Sequence, residues 1–355
     1  MNTNTQQHAA RDENLQILRF VAAALVLITH ITFYIGERVQ HGFPLWNGGE
    51  AGVPIFFVIS GFVMQLSGSR LSRDAAGARQ FLRRRVARVF PMYWLMTTLK
   101  LAVAIAVPAT VLHNRPDLLS TLASYVLFPM LNAEGEVRPL HGVGWTLLHE
   151  MFFYYVFALA LWLRQLPLLF CSIVIGGLWL IGLGVDEQSA FWRVCFSSLN
   201  LLFLCGMALG TLYQRNWQLP LPAALAALAA ALWMLSSADF RALQHALLAS
   251  FNIGAVLLVG AVLSLHTAAA PRLRAGLAAL GDSSYSLYMI HPILAPALCV
   301  VMAKLHLRSP YLVLALVAVL CVVIAHVVYR LVEQRLNRGA ARLLSWERWP
   351  AFVRR

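Results

Sequence analysis

The sequence predicts an all-α fold, a polytopic integral membrane helix bundle of about ten transmembrane helices. Of its 355 residues, 60% are hydrophobic and 12% are charged, whereas a soluble domain carries about 25% charged residues. The apolar residues occur in blocks of roughly 18–22, the length that a helix needs to cross a hydrocarbon core of about 30 Å. The sequence lacks the ten-residue segments of alternating polarity that mark membrane β-barrels, so the spanning elements are predicted to be helices.

The apolar blocks define the predicted organisation of the chain. One transmembrane domain is predicted over residues 15–331, between a cytoplasmic N-terminal tail, residues 1–14, and a basic cytoplasmic C-terminal tail, residues 332–355. The stretch 118–131 is apolar but short, which favours a re-entrant or interfacial piece over a further span. The ten predicted spans lie near residues 15–35, 50–67, 88–108, 144–163, 166–185, 191–213, 219–236, 243–265, 283–303 and 310–330.

The placement of arginine predicts the orientation. If the loop between the second and third blocks is cytoplasmic, 20 of the 28 Lys and Arg residues lie inside and 8 outside. The positive-inside rule therefore predicts that both termini are cytoplasmic. The net charge of +13 reflects this bias, and nucleic-acid binding is not indicated because the basic residues do not cluster on a soluble fold. The arginines of this loop and its edge are Arg70, Arg73, Arg79, Arg83, Arg84, Arg85 and Arg88.

The two ends of the chain and its cysteines carry no further signal of processing or metal binding. The N-terminus has no basic region before the first block, so that block is predicted to be an uncleaved anchor. The C-terminal tail is rich in Arg and Trp and suits the lipid headgroup level. The five cysteines all fall inside apolar blocks and are predicted to be small buried hydrophobes, with no metal site implied.

The first block contains two ionisable residues, Arg19 and His30. Ionisable groups inside spans are costly and are therefore candidates for function. The two residues are 11 positions apart, about 16 Å along a helix at about 1.5 Å per residue. At about 100° per residue they differ by only about 20° in direction and share a face. The alternative is that Arg19 extends to the membrane surface and His30 makes one packing hydrogen bond.

The arginine-rich segment that opens the third block is FLRRRVARVFPMYW, residues 81–94. Arg85 and Arg88 are three residues apart on one helical face, a spacing that can hold a phosphate between two guanidinium groups. An anionic cytosolic ligand such as coenzyme A fits this pattern. The alternative is a positive-inside stop signal followed by interfacial aromatic residues.

The fourth block opens with GVGWTLLHEMFFYY, residues 142–155. Entering from outside, this helix places Glu150 at about the depth of His30. A carboxylate there can orient an imidazole and raise its basicity, the usual arrangement of a general base. A structural ion pair is the alternative role of Glu150.

The ninth block begins GDSSYSLYMIHP, residues 281–292. Asp282 or Ser283 is predicted to cap the helix. Tyr285, Tyr288 and His291 project into the membrane, need polar partners and are predicted to line a polar cavity.

Five segments together resemble the membrane acyltransferase-3 family, which O-acylates bacterial surface polysaccharides and related glycans. They are LxxLRxxA followed by the histidine of the first block, GVxIFFVISGF, FLRRRxxRxFPxYW, GVGWTLxxEMFFY and SYSLYxxH. They occur in order over roughly residues 15–300. The fourth segment looks most like the branch that acetylates exopolysaccharides.

The resemblance implies roles for these residues. It implies that Arg19 and His30 are required for activity, and that Arg85 and Arg88 bind acyl-CoA. Trp145 and Glu150 match the family's tryptophan and glutamate, and Trp145 joins the predicted acceptor-binding residues Tyr285, Tyr288 and His291. Two positions depart from the family pattern: Pro54 stands where an acidic residue is common, and His149 occupies a variable site and competes with His30 as the base.

The resemblance predicts an O-acyltransferase that moves an acyl group, most simply acetyl, from cytosolic acetyl-CoA to a glycan hydroxyl, with His30 and Glu150 as the catalytic pair. Two alternatives stay open at this point. One is a membrane transporter, because polar residues inside spans also mark transport pathways; the sequence shows no internal repeat. The other is an acyltransferase with a lipid or peptide acceptor.

Overall fold

The computed structural model describes residues 3–107, 117–132, 134–185, 189–237, 250–265, 271–307 and 309–344. Over these residues the secondary structure is helical, and the one extended contact is an isolated bridge between Leu131 and Val137. The helices are α1 Thr3–Arg38, α2 Gly52–Gly68, α3 Ala75–Ala106, α4 Leu118–Tyr125, α5 Trp145–Trp162, α6 Pro167–Gly182, α7 Ala190–Phe196, α8 Asn200–Gln214, α9 Leu221–Ser237, α10 Ser250–Ser264, α11 Pro271–Asp282, α12 Ser284–Lys304, α13 Pro310–Val328 and α14 Gln334–Leu343.

The predicted all-helical fold with membrane-spanning helices is confirmed over the described residues, whereas the count of ten spans stays a prediction. Within the described residues, seven helical segments are long and apolar enough to cross a membrane. Three shorter apolar helices occupy the other predicted blocks, at Pro167–Gly182, Leu221–Ser236 and Asn252–Ser264. The start of the eighth predicted block, residues 243–249, lies outside the described residues. The stretch 118–131 contains only the short helix α4.

Several helices extend beyond the apolar blocks that predicted them. Helix α1 begins at Thr3, so most of the predicted N-terminal tail is helical, and buried Asn14 donates to the carbonyl of Leu265 at 3.0 Å. Helix α14 follows α13 through a π-helical turn, Tyr329–Glu333. Residues 345–355 of the predicted C-terminal tail lie outside the described part of the chain.

The chain divides into two compact units, each made of two sequence segments. The first comprises Met1–Met64 and Cys205–Tyr329, and the second comprises Gln65–Leu204 and Arg330–Arg355. The predicted transmembrane domain, residues 15–331, is therefore shared between them. His30 and His291 belong to the first unit, whereas Arg85 and Glu150 belong to the second.

In the first unit, α1 packs against α11, α12 and α13. Residues four apart present one apolar strip per helix, as helix packing requires; on α1 this strip is Leu27, Ile31 and Ile35, and on α13 it includes Val313, Val317 and Cys321. Glycines allow the closest approaches. A Cβ added at Gly281 of α11 would lie 1.9 Å from the carbonyl oxygen of Gln16 on α1.

In the second unit, α3 packs against α5 and α14. Asp74 caps the first turn of α3, because its carboxylate accepts from the backbone N–H of Gly77 and the hydroxyl of Ser72, each at 2.8 Å. These donors hold the pKa of Asp74 below its ordinary value. Further along α3, the buried hydroxyl of Tyr93 donates to the carbonyl of Ser124 at 2.8 Å, which ties the end of α4 to α3.

Candidate functional site

Two imidazole rings meet in the first unit, those of His30 on α1 and His291 on α12. Their ring centroids are 4.8 Å apart and their planes cross at 69°, an edge-to-face arrangement. His291 is 1% exposed, whereas His30 is half-buried. The structure therefore brings the predicted general base into direct contact with a predicted acceptor-binding residue.

Hydrogen bonds to the backbone fix the proton position on both rings. His30 Nδ1 lies 2.9 Å from the carbonyl oxygen of Val26, and His291 Nδ1 lies 3.1 Å from that of Leu287. A carbonyl oxygen only accepts, so each Nδ1 must carry the hydrogen. In the neutral ring the basic nitrogen is then Nε2, the atom that a general base uses.

The aromatic contacts continue from His291 towards α2. The Tyr288 ring lies 5.8 Å from the His291 ring and 6.0 Å from that of Phe56 on α2, centroid to centroid. We call Phe56, Tyr288, His291 and His30 the aromatic row. Tyr285 precedes Tyr288 by one helical turn and is partly exposed.

Two other predicted residues of the first unit are Arg19, midway along α1, and Ser283, at the start of α12. Arg19 is on α1, as predicted, and its guanidinium Nη1 donates to the side-chain oxygen of Gln16 at 3.0 Å. Ser283 stands at the N-cap position of α12, but its hydroxyl donates back to the carbonyl of Leu280 at 2.8 Å. The predicted side-chain cap is therefore absent at Ser283, because the hydroxyl is engaged by the end of α11.

Arg85 is the most deeply buried charged group of the second unit among those predicted to function. It is 5% exposed, and its Cζ lies 5.7 Å from the ring centroid of Phe81 and 5.9 Å from that of Tyr154. A guanidinium packed against two aromatic rings suits the recognition of an anionic ligand.

The two arginines of the RxxR motif differ in their surroundings. Arg85 is buried against Phe81 and Tyr154, whereas Arg88 is partly exposed. A step of three residues turns a helix by about 300°, so the two side chains start about 60° apart. The role of Glu150 in a structural ion pair stays a prediction. The pairing of Glu150 with His30, which belongs to the other unit, stays a prediction.

A second buried histidine, His149, is held in the second unit by Asn200. Its Nδ1 lies 3.0 Å from Asn200 Oδ1, and Asn200 Nδ2 donates to the carbonyl of Val194 at 2.7 Å. The second bond fixes the amide, so its oxygen must accept the Nδ1 hydrogen of His149. Trp145 packs its ring edge-to-face on His149 at 5.9 Å. His149 therefore faces α7 and α8, and its contacts are those of a residue that joins helices.

Sequence reasoning missed two residues of these clusters. Tyr154 follows Glu150 by four residues and so shares its helical face, a signal that was present in the sequence. Asn200 is an amide inside a predicted span, which by itself marks a polar group in need of a partner. Among the described residues, no group of three or more His, Cys, Asp or Glu side chains is arranged to hold a metal ion.

Comparison with known proteins identifies the family of the chain. A family model described as an acyltransferase domain, of the acyltransferase-3 type, matches residues 12–330, which include parts of both units. One relative is the exopolysaccharide production protein ExoZ of Rhizobium meliloti (strain 1021). It is 33% identical over 268 residues, which cover 73% of this chain and 80% of the relative. No solved structure matches the chain significantly.

Proposed function

Because the chain belongs to the acyltransferase-3 family, we propose that it transfers an acyl group from cytosolic acyl-CoA to a hydroxyl of an exported glycan. The similarity to a relative named for exopolysaccharide production supports a polysaccharide acceptor. Acetyl is the proposed acyl group and acetyl-CoA the donor substrate. The proposed location is the bacterial inner membrane, which the chain crosses ten times with both termini in the cytoplasm. The arginine bias and the three shorter apolar helices support this topology.

The donor is bound through its phosphates. Arg85 and Arg88 present two guanidinium groups from one helix, and a guanidinium pairs with two phosphate oxygens at once. The contacts of Arg85 with Phe81 and Tyr154 support a fixed position for one of the two groups. Arg19 adds a third positive charge to the donor-binding set.

His30 is the proposed general base, and its fixed tautomer is the observation that carries the proposal. With the Nδ1 hydrogen donated to Val26, Nε2 takes the proton of the acceptor hydroxyl as the oxygen attacks the thioester carbon. The new C–O bond forms, the C–S bond breaks, and the coenzyme A thiolate recovers the proton from His30. Glu150 is the proposed acidic partner of this step.

The acceptor is held by aromatic and polar side chains. Tyr285, Tyr288, His291 and Trp145 provide ring faces and hydrogen-bonding groups, the combination that suits a sugar ring with its apolar faces and its hydroxyls. The ring contact of Tyr288 with His291, which itself touches His30, supports an acceptor site beside the base.

The proposal is tested by acetyl transfer in membranes that contain the full chain. Radiolabelled acetyl-CoA is supplied on the cytoplasmic side, and label is counted in the glycan fraction for wild type, His30→Ala and Arg85→Lys. His30→Ala should abolish transfer, and Arg85→Lys, which keeps the charge but loses the planar fork, should raise the KM for acetyl-CoA. His326→Ala is the matched control, a helical histidine of the same unit outside the aromatic row.

Wild-type turnover by His30→Ala would refute the assignment of the base. Label recovered in lipid or peptide instead of glycan would change the acceptor class. Movement of an unmodified solute across the membrane, without any acetyl transfer by wild type, would support a transporter.

A further inference from the structure

His291 is buried and makes contacts that orient its ring. Its Nδ1 hydrogen is donated to the carbonyl of Leu287, its ring packs against Tyr288, and the residue is 1% exposed. Tyr288 in turn lies edge-to-face against Phe56 on α2. Aromatic pairs at about 4.5–7 Å prefer such crossed geometry over face-to-face stacking. The ring of His291 thus packs against a neighbour on its own helix, Tyr288, which in turn packs against α2.

His30 lacks this degree of enclosure, because it is half-buried on the opposite side of the contact. The χ2 torsion of a histidine is broad and roughly two-fold, so the backbone alone does not select one ring plane. The hydrogen bond from Nδ1 to Val26 and the edge-to-face contact with His291 both restrain the ring. Together they direct Nε2, the proposed basic atom.

We propose that His291 is a positioning residue that sets the ring plane of His30 through their edge-to-face contact. This inference rests on the proposed function, in which His30 takes the hydroxyl proton. It assigns His291 a role through its ring, in addition to any contact with the acceptor. The ring shape of residue 291 should then matter more to the rate than its nitrogen atoms do.

The proton balance of the reaction agrees with such a role. The hydroxyl proton moves to Nε2 of His30 and leaves with the coenzyme A thiolate, so no proton has to pass to His291. A proton on both rings would place two positive charges within about 5 Å, which is unfavourable away from water. His291 therefore stays neutral while His30 is charged, and it acts as a fixed aromatic neighbour of the imidazolium.

The test compares three side chains at position 291 in the full-length protein in membranes. His291→Ala removes the ring and should lower kcat for acetyl transfer about 10- to 100-fold, since a displacement of about 1 Å can cost 100-fold. The KM for acetyl-CoA should stay within about twofold. His291→Phe keeps the crossed ring contact and should restore kcat to within about fivefold of wild type. His291→Gln, which keeps polar atoms but no ring, should resemble His291→Ala.

His326→Ala is again the control, because its ring contacts Ser283 and Tyr329 outside the aromatic row. If His291→Ala does not accumulate in membranes, His291→Phe and His291→Gln carry the comparison. A Phe variant as slow as the Gln variant would overturn the proposal, because it would show that a ring nitrogen is needed. An unchanged kcat with a raised KM for the glycan would overturn it too. Failure of wild type to transfer acetyl would instead remove the proposed function.

Discussion

Gly281 on α11 determines how closely that helix approaches α1 near Arg19. The Cβ of an alanine at this position would lie 1.9 Å from the carbonyl oxygen of Gln16, and real Cβ contacts are not found below 3.0 Å. The two backbones must therefore separate by about 1.1 Å in Gly281→Ala. Overpacking of this kind costs about 1–3 kcal/mol of stability. Because Gln16 also accepts a hydrogen bond from Arg19, the displacement should reach that guanidinium.

The measurable result is a joint loss of stability and activity. We expect Gly281→Ala to unfold in denaturant with a free energy about 1–3 kcal/mol lower than wild type. Acetyl transfer should fall about 10-fold or more, since a 1 Å shift of a positioning group is costly. Both quantities are measured on purified protein in detergent, with transfer repeated in membranes.

Gly276→Ala is a matched control on the same helix. No heavy atom lies within 4 Å of the Cβ that it would add, so its main effect is the gain of about 0.5–1 kcal/mol that alanine brings to a helix interior. If Gly281→Ala behaved like Gly276→Ala in both measurements, the close approach of α11 and α1 would have no role in holding the site.

Three further predictions concern the second unit. Asn200→Ala should lower the free energy of unfolding by about 2–4 kcal/mol, because it leaves buried His149 without its acceptor and a backbone carbonyl without its donor. Tyr93→Phe should cost about 1 kcal/mol and speed proteolysis after α4, because the hydrogen bond to Ser124 is lost. Asp74→Ala should destabilise α3 at neutral pH, because the pKa of Asp74 is lowered in the folded protein. The difference in the free energy of unfolding between the variant and wild type should be complete above the ordinary pKa of 3.8. It should disappear as the pH falls through the lowered pKa.

Each of these predictions has a clear contrary result. Unfolding of Asn200→Ala within 0.5 kcal/mol of wild type, a difference usual for surface sites, would show that the amide is dispensable. Tyr155→Phe, on the exposed side of α5, should leave the rate of proteolysis unchanged. If it sped proteolysis as much as Tyr93→Phe, loss of the hydrogen bond to Ser124 would not be the cause. A stability difference for Asp74→Ala that persists in strong acid would show that its carboxylate charge is not the cause.

The sequence was sufficient to predict helices wherever a long apolar block occurred. It was less informative about helices that leave the membrane. Residues 67–87 were predicted as a polar loop, yet α3 begins at Ala75, because Asp74 caps it and alanines with long polar side chains favour helix. Hydropathy detects the part of a helix that lies in lipid, and it does not detect the polar turns that continue it.

Candidate site residues could be named from the sequence, but their contacts could not. His30 stood out because an ionisable group inside an apolar block is costly, and Arg85 stood out because it lies three residues before Arg88 on one helical face. Their neighbours could not be identified from spacing, since His291 and Tyr154 come from other helices. The sequence also placed Arg85 and Arg88 on one face, whereas the structure buries the first and leaves the second partly exposed. Burial depends on which helix packs against that face, and periodicity does not contain that information.

The order of synthesis gives the hydrogen bond between His30 and Val26 a second use. The first unit closes only when its C-terminal segment is made, and His291 follows His30 by 261 residues. At about 5–20 residues per second, α1 waits roughly 13–52 s for its aromatic neighbour. During that time an imidazole in lipid needs a polar partner, and the carbonyl of Val26 lies one turn away on the same helix. In the nascent chain, α1 thus provides a hydrogen-bond partner for His30 before His291 has been synthesised.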